Sequence, residues 1–296
     1  MTLDAPEPAD SPVAHAIPRR YAALGVIVLA IILVAVLIVV RNHVNQANGT
    51  SDVETITPAP ASLITSVSHV PASIASAVGV TSPDAPTTPP TATGNTSLWQ
   101  SSAAGARPVV FFYGAEFAPY AAAERWPVVV ALSRFGTFSA LGLMQSASSV
   151  GFSDTTTFTF WQTRYSSIWV DLQEVERYSS LNPTGGGFMP LQTPTARQAA
   201  SVAVYDSSTT TFPLLDIANH YVLVGSSFTP SVLSGLSQSQ VAADLLIPAS
   251  PVAQAILASA NEITAAICTV TGQRPAAVCG AHGVDLADAK MGIHKA

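Results

Sequence analysis

Residues 109–113 are an unbroken run of β-branched and aromatic side chains, Val-Val-Phe-Phe-Tyr, which ends at Gly114. An apolar run with no alternation fits a strand buried on both faces, and such strands occur in sheets covered by helices on either side. From Pro119 to residue 135 the apolar positions, among them Trp126, Val129, Val130 and Leu132, fall at helical spacing. Proline suits the first turn of a helix, where its missing N–H would have had no intrahelical partner. Pro127 lies farther in and predicts a kink, because it removes one bond from the ladder. This strand, turn and helix set the class of the fold as α/β.

Later segments extend that class. Residues 141–144 read as a strand. Residues 155–161 (Thr-Thr-Thr-Phe-Thr-Phe-Trp) alternate polar and aromatic, which predicts a half-buried strand, and residues 168–172 a partner nearby. Residues 185–187 are a glycine loop, and 195–205 an Ala-rich helix. Residues 211–225 hold two short apolar runs around a tight polar connection, the pattern of a hairpin. Helices over 237–246 and 252–270 close the series. The order is strand, helix, strand, an insertion, hairpin and helix.

A second feature decides where such a domain sits. Residues 21–40 carry no charge and are almost wholly Ala, Leu, Ile and Val. At about 1.5 Å per residue that is roughly 30 Å of helix, the thickness of a hydrocarbon core. Arg19 and Arg20 precede the run and Arg41 follows it, so the positive excess predicts a cytoplasmic N-terminus and an extracytoplasmic remainder. The run is longer than a cleavable signal's apolar region and no small-x-small site follows at once, which favours an uncleaved signal anchor. The organisation expected is a cytoplasmic tail (1–20), the anchor (21–40), a polar linker (41–60), a globular domain (61–285) and a C-terminal tail (286–296). Within the domain, residues 61–80 are apolar enough to pack, and the proline-rich stretch 82–96 reads as a loop.

Net charge is −6 with no basic cluster, which argues against nucleic acid as a partner. The two cysteines, Cys268 and Cys279, in an extracytoplasmic domain favour a disulfide over two separate buried thiols. They do not make a metal site, since only His282 is nearby and zinc needs four ligands. The six histidines are scattered, and no Gly-x-Ser-x-Gly elbow occurs. Residues 185–187 lack the Lys-Ser/Thr of a phosphate loop. Asp216 and His220 read as turn residues of the hairpin, Glu174, Glu176 and Arg177 as a solvated face, and Trp161 and Trp169 as core. No cofactor is expected.

The chain from about residue 61 to 280 resembles a thioredoxin-like family described as a domain of unknown function, number 929. The segments that carry the resemblance are Tyr113-Gly114-Ala115-Glu116, Ala122-Ala123-Glu124-Arg125-Trp126, 131–138, Phe212-Pro213, and 261–268 with the later Cys279. It implies a thioredoxin-like sheet with helices on both faces and an insertion, related to thiol-disulfide oxidoreductases, behind a single transmembrane helix. Members of that family usually carry Cys-Pro-Tyr-Cys where this chain has Ala118-Pro119-Tyr120-Ala121. Phe212-Pro213 stands where such folds place a cis-proline loop, although sequence does not fix the isomer. A methyl group can neither attack a disulfide nor resolve one. The expectation is therefore a membrane-anchored module that binds an extended peptide or protein client through Pro119, Tyr120, Phe212 and Pro213, with Cys268–Cys279 as a structural disulfide. The alternative is an oxidoreductase, using Cys268 and Cys279 or existing in a parent form with cysteines at 118 and 121.

Overall fold

The computed structural model of the chain describes residues 56–80, 86–101, 105–182, 186–206 and 211–294. The predicted tail, anchor and most of the linker (1–55) lie outside these residues. The described part is α/β with mixed sheets. Its strands are β1 (Thr57–Pro58), β2 (Thr91–Ala92), β3 (Val109–Gly114), β4 (Gly136–Gln145), β5 (Thr156–Ser167), β6 (Asp171–Glu176), β7 (Leu214–Ile217) and β8 (Tyr221–Val224). The helices are α1 (Ala61–Ser68), α2 (Ala72–Val78), α3 (Pro119–Ser133), α4 (Ala196–Tyr205), α5 (Gln238–Asp244), α6 (Pro251–Val270), α7 (Ala276–Cys279) and α8 (His282–Met291).

The main sheet has the order β2-β8-β7-β3-β6. β3 runs parallel to β6 and antiparallel to β7, and β7 turns back into β8. All six residues of β3 are buried, as its unbroken apolar run requires. Val110 and Phe112 enter one core with α3 and α6, whereas Val109, Phe111 and Tyr113 enter a second with Trp99 and Val202 of α4. The alternation of a strand thus divides one apolar run between two helical layers.

α3 continues past Pro127 to Ser133 and is buried almost all round. Among the described residues α6 is the one single helix long and apolar enough to cross a membrane, and it lies instead inside the core against α3. The insertion is a second sheet of order β1-β4-β5, joined to the body through α3. Trp126 Nε1 donates to the Thr156 carbonyl at 2.9 Å and its ring meets Phe158 at 4.6 Å.

Several boundaries differ from the expectation. Thr57–Pro58 pairs with β4 and the Ala59 N–H bonds Leu141 C=O at 2.8 Å, so the end of the expected linker belongs to the folded body. Residues 286–291, read as tail, continue α8, with Ala287 fully buried. Residues 91–92 of the expected loop pair with β8. The strand expected over 168–172 begins at Asp171, and Ile168 is 79% exposed. Residues 156–160 are buried on both faces, not on one. Their polar face is covered because the hydroxyls find acceptors: Thr157 Oγ1 donates to Ala122 C=O at 2.7 Å, and Thr159 Oγ1 to the Glu116 carboxylate.

Cys268 at the end of α6 and Cys279 at the end of α7 form a disulfide, Cα to Cα 5.6 Å. With a sequence separation of 11, loop-closure entropy assigns it about 3 kcal/mol. The variant Cys268→Ser with Cys279→Ser should lose about that much in urea unfolding, and a reducing agent should add nothing further to the loss.

Candidate site at the start of helix α3

The loop between β3 and α3 is held from beneath by a buried ion pair. Arg125 Nε and Nη2 donate to Glu176 Oε1 and Oε2 at 2.9 and 2.7 Å, with both side chains fully buried. Nη2 also reaches Ala115 C=O at 3.2 Å, the carbonyl that accepts the Ala118 N–H at 3.1 Å. Glu176 Oε1 further accepts the Phe160 N–H at 3.3 Å. Gly114 makes room for this arrangement, since a Cβ there would lie 2.5 Å from the Phe112 ring and 3.1 Å from Glu176 Oε2. Glu176 therefore corrects the expectation of a solvated face. Its neighbour Glu174 is half-buried as well, and burial pushes its carboxyl up to about 7.

Above this support the loop is tied on two further sides. Glu116 N–H bonds Tyr178 C=O at 2.8 Å, and Ala147 N–H bonds Phe117 C=O at 3.1 Å. Ala118 is the N-cap residue of α3 with extended backbone, and Pro119 occupies the first turn. Ala118 is 6% exposed and Ala121 is buried, while Tyr120 stands 44% exposed with its ring edge-on to Phe152 at 5.8 Å.

Phe117 links the two halves of the predicted site. Its ring stacks flat on Phe188 at 4.0 Å and meets Phe212 edge-on at 5.9 Å, and Tyr178 lies 6.2 Å from both Phe117 and Phe212. The structure thus brings Phe212 beside the loop that carries Ala118. The Phe212–Pro213 bond is cis, Pro213 is buried, and its carbonyl accepts from Gly225 N–H at 2.8 Å. Among the described residues no backbone group pairs with the N–H or C=O of Phe212.

On the other side of Tyr120 is a groove of about 270 Å³, walled by Pro86, Thr88, Phe228 and Val232. Ser227 forms part of it and anchors to α3: Glu124 accepts the Ser227 N–H at 2.6 Å and its hydroxyl at 2.9 Å. Glu124 is fully buried, and this burial raises its carboxyl to about 8 despite the two bonds.

Cys268 and Cys279 are 0% and 2% exposed, so neither sulfur is open to an attacking thiolate, and neither belongs to the groove or the aromatic cluster. Asp216 is buried on β7 and holds the hairpin turn, accepting from Asn219 N–H and Ser201 Oγ, each at 2.6 Å. Burial raises its carboxyl above the usual range. Among the described residues no three His, Cys, Asp or Glu side chains gather closely enough to hold a metal ion.

A family model for a domain of unknown function matches residues 99–185 and 188–269, more than half of the chain. The chain belongs to the DUF929 family. The match takes in the β3–α3 loop, Phe188, the Phe212 hairpin and Cys268, but not the Pro86/Thr88 wall of the groove or Cys279. No curated protein and no solved structure matches this DUF929 chain. Sequence reasoning gave Phe117, Tyr178 and Phe188 no role. It also missed the partners of Glu124 and Arg125. The signal was present: two adjacent charges in a helix apolar on every other face must each find a buried partner.

Proposed function

We propose that this protein is a membrane-anchored, extracytoplasmic module of thioredoxin-like fold that holds an extended peptide or protein client and does not exchange disulfides. The observation that carries this reading is the open backbone of Phe212 beside the start of α3. Among the described residues its N–H and C=O pair with no backbone group, and free backbone groups at a strand end are what strand addition by a peptide requires. The aromatic cluster of Phe117, Tyr178, Phe188 and Phe212 offers apolar contact along such a strand. The order β8-β7-β3-β6, with α3 leaving β3, supports the thioredoxin-like assignment. The anchor rests on residues 21–40 and their flanking arginines.

Ala118 and Ala121 stand one helical turn apart at the positions a dithiol would occupy, and a thiol at a helix N-terminus is acidified toward the reactive thiolate. Introducing Ala118→Cys and Ala121→Cys together should create disulfide-reductase activity, measured on insulin with dithiothreitol as the reductant, while the chain as it stands gives none above dithiothreitol alone. The single variant Ala118→Cys should trap a cysteine-containing extended peptide as a mixed disulfide. Reductase activity in the unaltered chain would refute the proposal, as would failure of the single variant to trap peptide.

A further inference from the structure

Among the described residues Arg134 stands out by what it lacks. It caps the C-terminal end of α3, and its side chain crosses α6, where Nη1 donates to Thr264 Oγ1 at 2.8 Å and more weakly to Ala260 C=O at 3.5 Å. Both acceptors are neutral. The ion pairs among the described residues join Arg107 to Asp171, Arg125 to Glu176 and Lys290 to Glu262, and none includes Arg134. Burial alone brings its guanidinium down to about 10, with no carboxylate offsetting the loss of water.

The guanidinium lines a pocket of about 110 Å³ bounded by α2, α6, α7 and α8. Its walls are otherwise largely apolar, with Val70, Val278 and Val284 among them, and no acidic side chain lines it. One further group there suits a negative charge. Ser76 accepts the Gly283 N–H at 3.3 Å, which leaves its own proton without an acceptor among the described residues. The ten-residue helix α8 also begins at the pocket, but its start offers little to an anion: Ser76 takes the Gly283 N–H, Ala281 C=O takes those of Val284 and Asp285, and Asp285 already stands in its first turn. Asn261, by contrast, is committed, both of its Nδ2 protons going to Ala75 C=O and Gly79 C=O at 3.0 and 2.7 Å. Gly283 lets α8 approach this amide, since a Cβ there would lie 2.7 Å from Nδ2. The Cys268–Cys279 disulfide fixes the wall that carries Val278.

We propose that this pocket binds a small aliphatic carboxylate, whose charge pairs with Arg134 and whose hydrocarbon end lies against the valines. A volume of this size accommodates a ligand of roughly six to ten non-hydrogen atoms. Paired to a carboxylate, the half-buried Arg134 guanidinium gains charge-assisted bonds that its two neutral acceptors do not supply.

Equilibrium dialysis of the full-length protein against radiolabelled isovalerate tests the proposal. Saturable binding is expected, displaced by unlabelled isovalerate but not by equal isovaleramide or sulfate. Arg134→Met should weaken it about tenfold or more, as loss of one charge-assisted pair requires. Because that change also removes the bond to Thr264, Ala277→Trp provides an independent variant. Ala277 is exposed at the pocket rim, so the larger side chain blocks entry and leaves Arg134 in place. Absence of saturable binding overturns the proposal, as does binding unchanged in both variants. Equal displacement by sulfate or by isovaleramide overturns it too, since the site would then read charge alone or apolar shape alone.

Discussion

Replacing Glu176 with alanine is expected to cost about 3–5 kcal/mol of stability in urea unfolding, the usual consequence of stranding a buried charge. Arg125 would remain fully buried with no carboxylate, its Nε and one Nη2 bond lost, and the Phe160 N–H would lose its acceptor as well. The effect should extend to the site. Arg125 Nη2 holds Ala115 C=O, and that carbonyl fixes the Ala118 N–H. Amide exchange at Ala118 should therefore accelerate by more than exchange in α6. The double variant Arg125→Met with Glu176→Leu should recover most of the lost stability, because apolar residues of similar volume replace a buried pair at little or no cost. It should not restore slow exchange at Ala118, since the clamp on the loop is still missing. A double variant as unstable as Glu176→Ala would show that packing around the pair, and not its charge, is what the fold depends on.

The second large effect is on pH dependence. Glu124 carries its proton in the folded protein up to about pH 8, against an ordinary value of 4.5, because it is fully buried on α3. The sign follows directly. Between those two values the folded state binds a proton that the unfolded state releases, so stability is full below about pH 4.5, falls as the pH rises and is lost through about pH 8. The shift corresponds to a difference on the order of 5 kcal/mol between the ends of that window. Glu124→Gln imitates the protonated acid: its Oε1 can accept from Ser227 N–H and its Nε2 can donate to Ser227 Oγ. Urea unfolding of this variant at pH 9 should show a gain of that order over the parent, and at pH 4 little difference. Glu174, raised to about 7 by burial, titrates with the same sign, so the variant should retain a slope below pH 7 and flatten above it. An unchanged profile would mean that Glu124 is ionised in the folded state.

Much of this molecule is legible in residue order because local chemistry dictates it. The unbroken run Val109–Gly114 could be a strand only with apolar matter on both faces, and Pro119 fixed where the next helix starts. The α/β class, the hairpin with His220 in its turn and the long apolar helix at Pro251–Val270 follow from the same local reasoning, whereas Asp216, read as a second turn residue, lies on β7, and the reading of the Cys268–Cys279 pair rests on the even cysteine count and the expected compartment. The sequence also shows Ala118 and Ala121 at the start of α3, and neither side chain carries a thiol.

What sequence order could not decide was which polar groups lie inside. Glu176 sits in a charged stretch that reads as solvated, and only the parallel pairing of β6 with β3 turns it toward Arg125, 51 residues away. The threonines of β5 read as an outer face, and only the packing of α3 and its loop supplies the acceptors that let them be buried. Arg134 resembles any helix-ending arginine until α2, α6 and α8 close around it without a carboxylate. Apolar periodicity is a local property, and the chain displays it directly. The fate of a buried charge depends on a partner brought from far along the chain, and only the tertiary structure decides it.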